Sequence, residues 1–153
     1  FERDRAKLAD ALRDLNVRIE HIGSTSVVGL AAKPIIDIMI VTQNETDAIR
    51  CITPIVRLDF ECRGEADIEG RIFFRRMNPH THHIHLYTTP THPEIERHLN
   101  FRDYLRSHPD AAKEYAELKY ALAEKFRNDR VGYTDAKTEF IRSIEAKARG
   151  GLK

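Results

Sequence analysis

The sequence predicts an α+β chain, a small mixed β-sheet with helices that ends in a helical C-terminal third. Three observations carry this. Residues 34–41 form a continuous, isoleucine-rich apolar run, which suits a strand buried on both faces. Shorter alternating or β-branched stretches surround it at 17–22, 58–63, 71–77 and 82–88. From Pro93 onward the strand signals stop and apolar residues recur at helical spacing.

In order along the chain, Leu8, Leu12 and Leu15 mark an amphipathic helix from about Glu2 to Leu15. Residues 17–22 alternate as a strand, and the buried strand of 34–41 follows. A second helix is expected from about Glu45, interrupted or bent at Pro54. Two strands at 58–63 and 71–77 flank a polar turn at 64–70, and 82–88 alternates again. Ser107 and Asp110 around Pro109 read as a helix start with its cap, and Tyr115, Leu118, Leu122 and Phe126 line one face beyond it. Thr134 is expected to cap a last helix whose stripe is Tyr133, Ala136, Phe140, Ile144 and Ala148.

The 153 residues are about one domain's worth, with no repeat and no linker, so residues 1–153 are expected to share one core. Apolar residues are 41% and charged residues 32%, which excludes a disordered tail and a fibrous or membrane protein. The net charge of +1 gives no global field toward nucleic acid or an acidic membrane. Two cysteines, Cys51 and Cys62, form no C-x-x-C pair or disulfide framework, so a reducing, cytoplasmic setting is expected. The longest apolar run, 35–41, is far below the ~18 residues a membrane span needs. The chain opens on Phe1, and a natural N-terminus upstream is expected.

The chemistry concentrates in 21–37, HIGSTSVVGLAAKPIID. A strand ends at Gly23, where glycine permits a tight turn. The free N–H groups and the Ser24, Thr25 and Ser26 hydroxyls after it can cradle a phosphate, with Lys33 adding charge. This is not a Walker loop, since Leu30, Ala31 and Ala32 separate Gly29 from Lys33, and no Rossmann fingerprint is present. The same residues also read as an ordinary capped turn. Asp37 stands inside Ile-Ile-Asp-Ile-Met-Ile, where an unpaired carboxylate is expensive. It calls for a metal, Lys33, or donors that tie it down structurally.

Five of the eight histidines, His80, His82, His83, His85 and His92, fall between residues 80 and 92. Alternation puts His83, His85 and Tyr87 on one strand face, where the two imidazoles can join Asp37 around a metal or do phosphate-binding or acid–base work. A half-exposed polar strand is the plainer account. Arg75 and Arg76, and the segment Arg102 to Arg106, offer cations for a phosphate-rich ligand, or are merely solvated. Tyr115, Lys119, Tyr133 and Lys137 read as core-edge tyrosines and snorkelling lysines.

These stretches carry a resemblance. Ile19 to Asp37, Thr81-His-His-Ile-His85, Phe101-Arg-Asp-Tyr-Leu-Arg106, Tyr115 to Lys119 and Tyr133-Thr-Asp-Ala-Lys137 are similar, in order and over nearly the whole chain, to the GrpB-like family. Val28 stands where such sequences usually have proline. The resemblance implies a nucleotidyltransferase-like core plus C-terminal helices, with a Gly-Ser turn for the triphosphate and strand carboxylates for divalent metal, magnesium or manganese first and zinc next. It also implies a nucleotide or other phosphorylated small molecule as partner. Similar domains occur fused to dephospho-CoA kinase, which admits an accessory role near coenzyme A metabolism.

Active nucleotidyltransferases place two acids on one strand and a third on its neighbour, because two magnesium ions need that many hard oxygens. Here Asp37 is followed by Ile38 and Met39, and histidine takes the neighbouring position. The expectations are therefore a metal-dependent nucleotidyltransferase with Asp37 at its centre, a binding module that lost the second acid, or a small metal-dependent hydrolase built on the histidines. Imidazole suits zinc, iron or manganese better than magnesium.

Overall fold

A computed structural model describes residues 1–150, apart from the side chains of residues 130 and 134. Helix α1 (Glu2–Ala11) leads to strand β1 (Arg18–Ile22), a 3₁₀ turn (Ser24–Ser26) and β2 (Ile36–Val41). Helix α2 (Glu45–Val56) follows, then β3 (Glu61–Cys62), β4 (Arg71–Arg76) and β5 (His82–Tyr87). The chain closes with α3 (Pro93–Ser107), α4 (Pro109–Lys125) and α5 (Arg130–Gly150). The sheet order is β1-β2-β5-β4-β3, with β2 and β5 parallel and the other pairs antiparallel.

The isoleucine run explains the centre of this sheet. Ile38 and Ile40 point to one face, where Ile84, Leu86 and Phe74 meet Leu8 of α1, Leu12 just beyond it, and Ala48, Cys51 and Ile55 of α2. Met39 and Val41 point to the other, packing with Ile22, Tyr87 and Ile95 of α3. Each such side chain removed from water contributes about 1.5–3 kcal/mol. A third cluster joins the loop after β1, through Val27 and Leu30, to Leu105, Tyr115 and Ile144 of the three C-terminal helices. The Gly23 corner is thereby clamped between the sheet and the helices.

Several boundaries differ from expectation. Helix α1 stops at Ala11, and Leu12 to Leu15 form a turn. Pro54 does not interrupt α2: it stands in the last turn, with only two helical residues after it, and the helix forgoes one N–H bond to the Arg50 carbonyl there. The stretch 58–63 supplies only two strand residues, paired with Arg75 and Phe74. Pro109 does open α4, but its N-cap is His108. Ser107 ends α3, its hydroxyl donating to the Asp103 and Tyr104 carbonyls. Helix α5 begins at Arg130, so Thr134 lies within it, and its side chain is outside the described residues. Among the described residues, no helix is long and apolar enough to cross a membrane.

Polar groups lock the layers together. Asp4 of α1 is buried and paired with Arg76 and His82, so His82 serves the α1 side of the sheet, away from His83 and His85. Arg102 of α3 donates to Glu20 and to the His21 carbonyl, and Arg106 donates to the Ser26 carbonyl.

Candidate functional site

Strand β1 ends at Ile22, opposite Asp37, and Gly23 turns the chain with φ 70° and ψ −175°. A Cβ on Gly23 would lie 2.5 Å from Asp37 Oδ2. Only glycine lets the backbone pass this close to the acid. The sequence thus places the glycine and the aspartate as one unit.

Parallel pairing sets Asp37 beside His83, and Met39 beside His85. His83 Nδ1 is 2.9 Å from Asp37 Oδ1, and His85 Nε2 is 3.8 Å from the same oxygen. Burial alone would raise the Asp37 pKa. The hydrogen bonds and charge of His83 and His85 outweigh it and hold the carboxyl well below the usual carboxylate range. His85 is itself pushed down, by burial first, against the pull of Asp37. Its Nδ1 faces the Arg71 guanidinium at 3.4 Å.

Beside this corner lies a cleft of about 570 Å³. Asp37, His80 and His83 line it with Ser24, Thr25 and Lys33, and helices α4 and α5 bring Lys119, Tyr133 and Lys137. Lys119 Nζ donates to Ser24 Oγ at 3.1 Å and to the Ala31 carbonyl at 2.6 Å. Burial and then the neighbouring Lys137 push Lys119 down to about 8. Lys137 is also lowered, by burial first and by Lys33, while Asp37 opposes the shift.

Of the residues singled out in the sequence, Ser24, Thr25, Lys33, Asp37 and His83 line one cleft, with Gly23 directly behind Asp37. Ser26 does not join them. Its buried hydroxyl donates to the Gly23 carbonyl at 2.6 Å, which closes the turn, and the residue lines a separate, largely apolar cleft with Val27, Val28 and Leu30. Thr25 is partly committed, bonding His21 Nε2 and the Ile35 carbonyl. Arg75, Arg76, Arg102 and Arg106 hold the protein's own acids and carbonyls instead of lining this cleft.

Sequence reasoning undervalued Lys119, Tyr133 and Lys137. The available signal was the tyrosine four residues before each lysine, on two different helices. Tyr115 is indeed core, stacked on Phe140, but the two lysines and Tyr133 face the cleft.

Asp37, His83 and His85 each bring one ligand atom within 4.8 Å of the others, and among the described residues this is the group of three or more such side chains that could hold a metal ion. One carboxylate and two imidazoles suit manganese, iron or zinc better than magnesium. Met39 is fully buried among Ile22, Val41, Tyr87 and Ile95, so no second acid stands on β2 beside Asp37.

Comparison with known proteins agrees with this architecture. The family model described as GrpB protein matches residues 1–147. UPF0157 protein YqkA of Bacillus subtilis is 39% identical over 157 residues, covering 97% of this chain and 43% of the relative, so the chain spans less than half of YqkA. The crystal structure of conserved protein GrpB from Enterococcus faecalis superimposes with a TM-score of 0.90 at 37% identity, covering 99% of this chain and 92% of that one. The Cid1 poly(U) polymerase bound to MgATP has a TM-score of 0.57 at 15% identity, over 88% of this chain and 47% of that one, a likeness of fold alone.

Proposed function

The chain belongs to the GrpB family and has a nucleotidyltransferase-like fold, and from that premise we propose that its cleft binds a nucleotide or similar phosphorylated ligand together with a divalent cation. One observation carries this reading, the gathering of three lysines opposite an acid-and-imidazole wall in a single cleft. Half-buried lysines that repel one another, as Lys119 and Lys137 do, hold their protons at a cost, and phosphate oxygens placed between them relieve it. Lys119, Lys137 and Lys33 take the phosphates, with Ser24 beside them. His83, backed by Asp37, forms the side at which the cation neutralises the same ligand. The cleft volume falls in the range of small-molecule sites. The Cid1 structure carries its MgATP on the same fold, which supports the ligand class.

The test is nucleoside triphosphate binding, by calorimetry, with Mg²⁺ or Mn²⁺ present. Lys119→Met is expected to weaken binding about tenfold to a hundredfold, the worth of one charged hydrogen bond. Affinity is also expected to fall as pH rises through about 8, because Lys119 then loses the proton that the phosphates need. No binding of any nucleoside triphosphate, or equal affinity at pH 7 and pH 9, would refute the proposal.

Met39 favours a second reading, in which the ligand binds but no nucleotidyl group moves. A fully buried thioether cannot supply the oxygens of a second metal. Nucleotide binding without release of pyrophosphate, over a panel of hydroxyl acceptors, supports this reading; pyrophosphate release dependent on Asp37 overturns it.

A further inference from the structure

We infer that His80 and His83 form a transition-metal site at the mouth of the cleft, with Asp37 standing behind it as an orienting group instead of a ligand and His85 outside it. The inference goes beyond phosphate binding and rests on the imidazole geometry alone. His83 Nδ1 sits 2.9 Å from Asp37 Oδ1. That carboxylate accepts only, so the Nδ1 proton is directed onto it and the Nε2 lone pair is left for another partner. A metal-binding histidine characteristically hands its second N–H to a carboxylate in this way, which fixes the ring and raises its basicity.

His83 Nε2 accepts from His80 Nε2–H at 2.8 Å, a proton that passes to Nδ1 of the exposed His80 ring when a cation takes its place, and both residues line the cleft. Two nitrogens bound to one tetrahedral zinc at about 2.0–2.1 Å stand roughly 3.3 Å apart. A small opening of the exposed His80 ring therefore admits a cation between them. The remaining coordination positions open into the cleft, toward water or a ligand oxygen.

At His85 the same proton shift is opposed by Arg71. Its Nδ1 faces the Arg71 guanidinium, a group that only donates, so the proton of the neutral ring resides on Nε2, the atom turned toward Asp37. Binding a metal through Nε2 would move that proton to Nδ1, directly against Arg71. The point where Asp37, His83 and His85 converge is thus occupied by N–H groups, while the Nε2 pair of His80 and His83 meets at the rim.

The experiment uses the whole chain, stripped with chelator and titrated with Zn²⁺ alone, with no nucleotide present, so its outcome is independent of phosphate binding. Wild type is expected to take up one Zn²⁺ per chain by calorimetry and elemental analysis. His80→Ala lowers the affinity at least tenfold, while His85→Gln leaves it within about twofold. His80 lies in an exposed turn, and circular dichroism verifies that its variant is folded. Absence of Zn²⁺ uptake by wild type, wild-type affinity in His80→Ala, or loss of the site in His85→Gln would each overturn the assignment.

Discussion

Gly23→Ala perturbs the corner on which the whole site depends. The substitution imposes two costs, and the structure separates them. The backbone at φ 70° and ψ −175° lies in a region essentially reserved for glycine, worth about 1–3 kcal/mol for any other residue. The new methyl would also stand 2.5 Å from Asp37 Oδ2 and 3.1 Å from its Cβ and Cγ, so the acid must move. Displacing it breaks the 2.9 Å bond to His83, a hydrogen bond to a charged group worth about 1.5–3 kcal/mol. Together these give about 4 kcal/mol, or a fall in Tm of roughly 10 °C for a chain of this size. Gly29→Ala is the control. Gly29 has φ 79° but nothing within 4 Å of the added carbon, so it bears the backbone cost alone. Urea denaturation of both variants, and of Gly23→Ala in an Asp37→Ala background, reads the two costs apart. Gly23→Ala should be the more destabilising, and removing the Asp37 side chain should restore about half of the loss. Equal losses at the two glycines, or strict additivity with Asp37→Ala, would show that the methyl does not clash with the acid.

Two further predictions concern stability. His98 is pushed down to about 3, by burial first and then by His85 and Arg97, and His82 and His85 are lowered chiefly by burial. The unfolded chain then binds more protons than the folded one below pH 6.5, so stability falls as pH drops from 6.5 toward 3, by up to about 1.4 kcal/mol per unit from His98 alone. His98→Asn should flatten that slope in denaturant titrations at pH 7, 6 and 5, and stability that is constant or rises on acidification would contradict it. Arg102 is nearly buried and ties α3 to β1 through Glu20 and the His21 carbonyl. Arg102→Ala should therefore cost about 1–3 kcal/mol in urea unfolding while leaving nucleotide affinity unchanged, and a loss of affinity without a loss of stability would show that the arginine serves the ligand.

Features that depend on short range could be read from the order of the residues. The run 34–41 announced a strand buried on both faces, because a central strand has no polar side to show. The two-residue period put His83 and His85 on the face shared with Asp37, and glycine before Ser-Thr-Ser marked the turn beside it. Tertiary structure decided the rest. Lys119 lies 95 residues from the Ser24 that it touches, and its one local signal, Tyr115 a turn before it, names no partner that far along the chain. Ser26 and Ser24 are chemically alike in sequence, yet one closes the turn and the other faces the cleft, a choice made by the packing of the 3₁₀ turn against the helices. His82 and Asp4 show the same logic on the opposite face, where two ionisable groups are buried because folding brings Arg76 to them. Periodicity records which side of an element avoids water, whereas the contents of a cleft depend on which distant elements close over it.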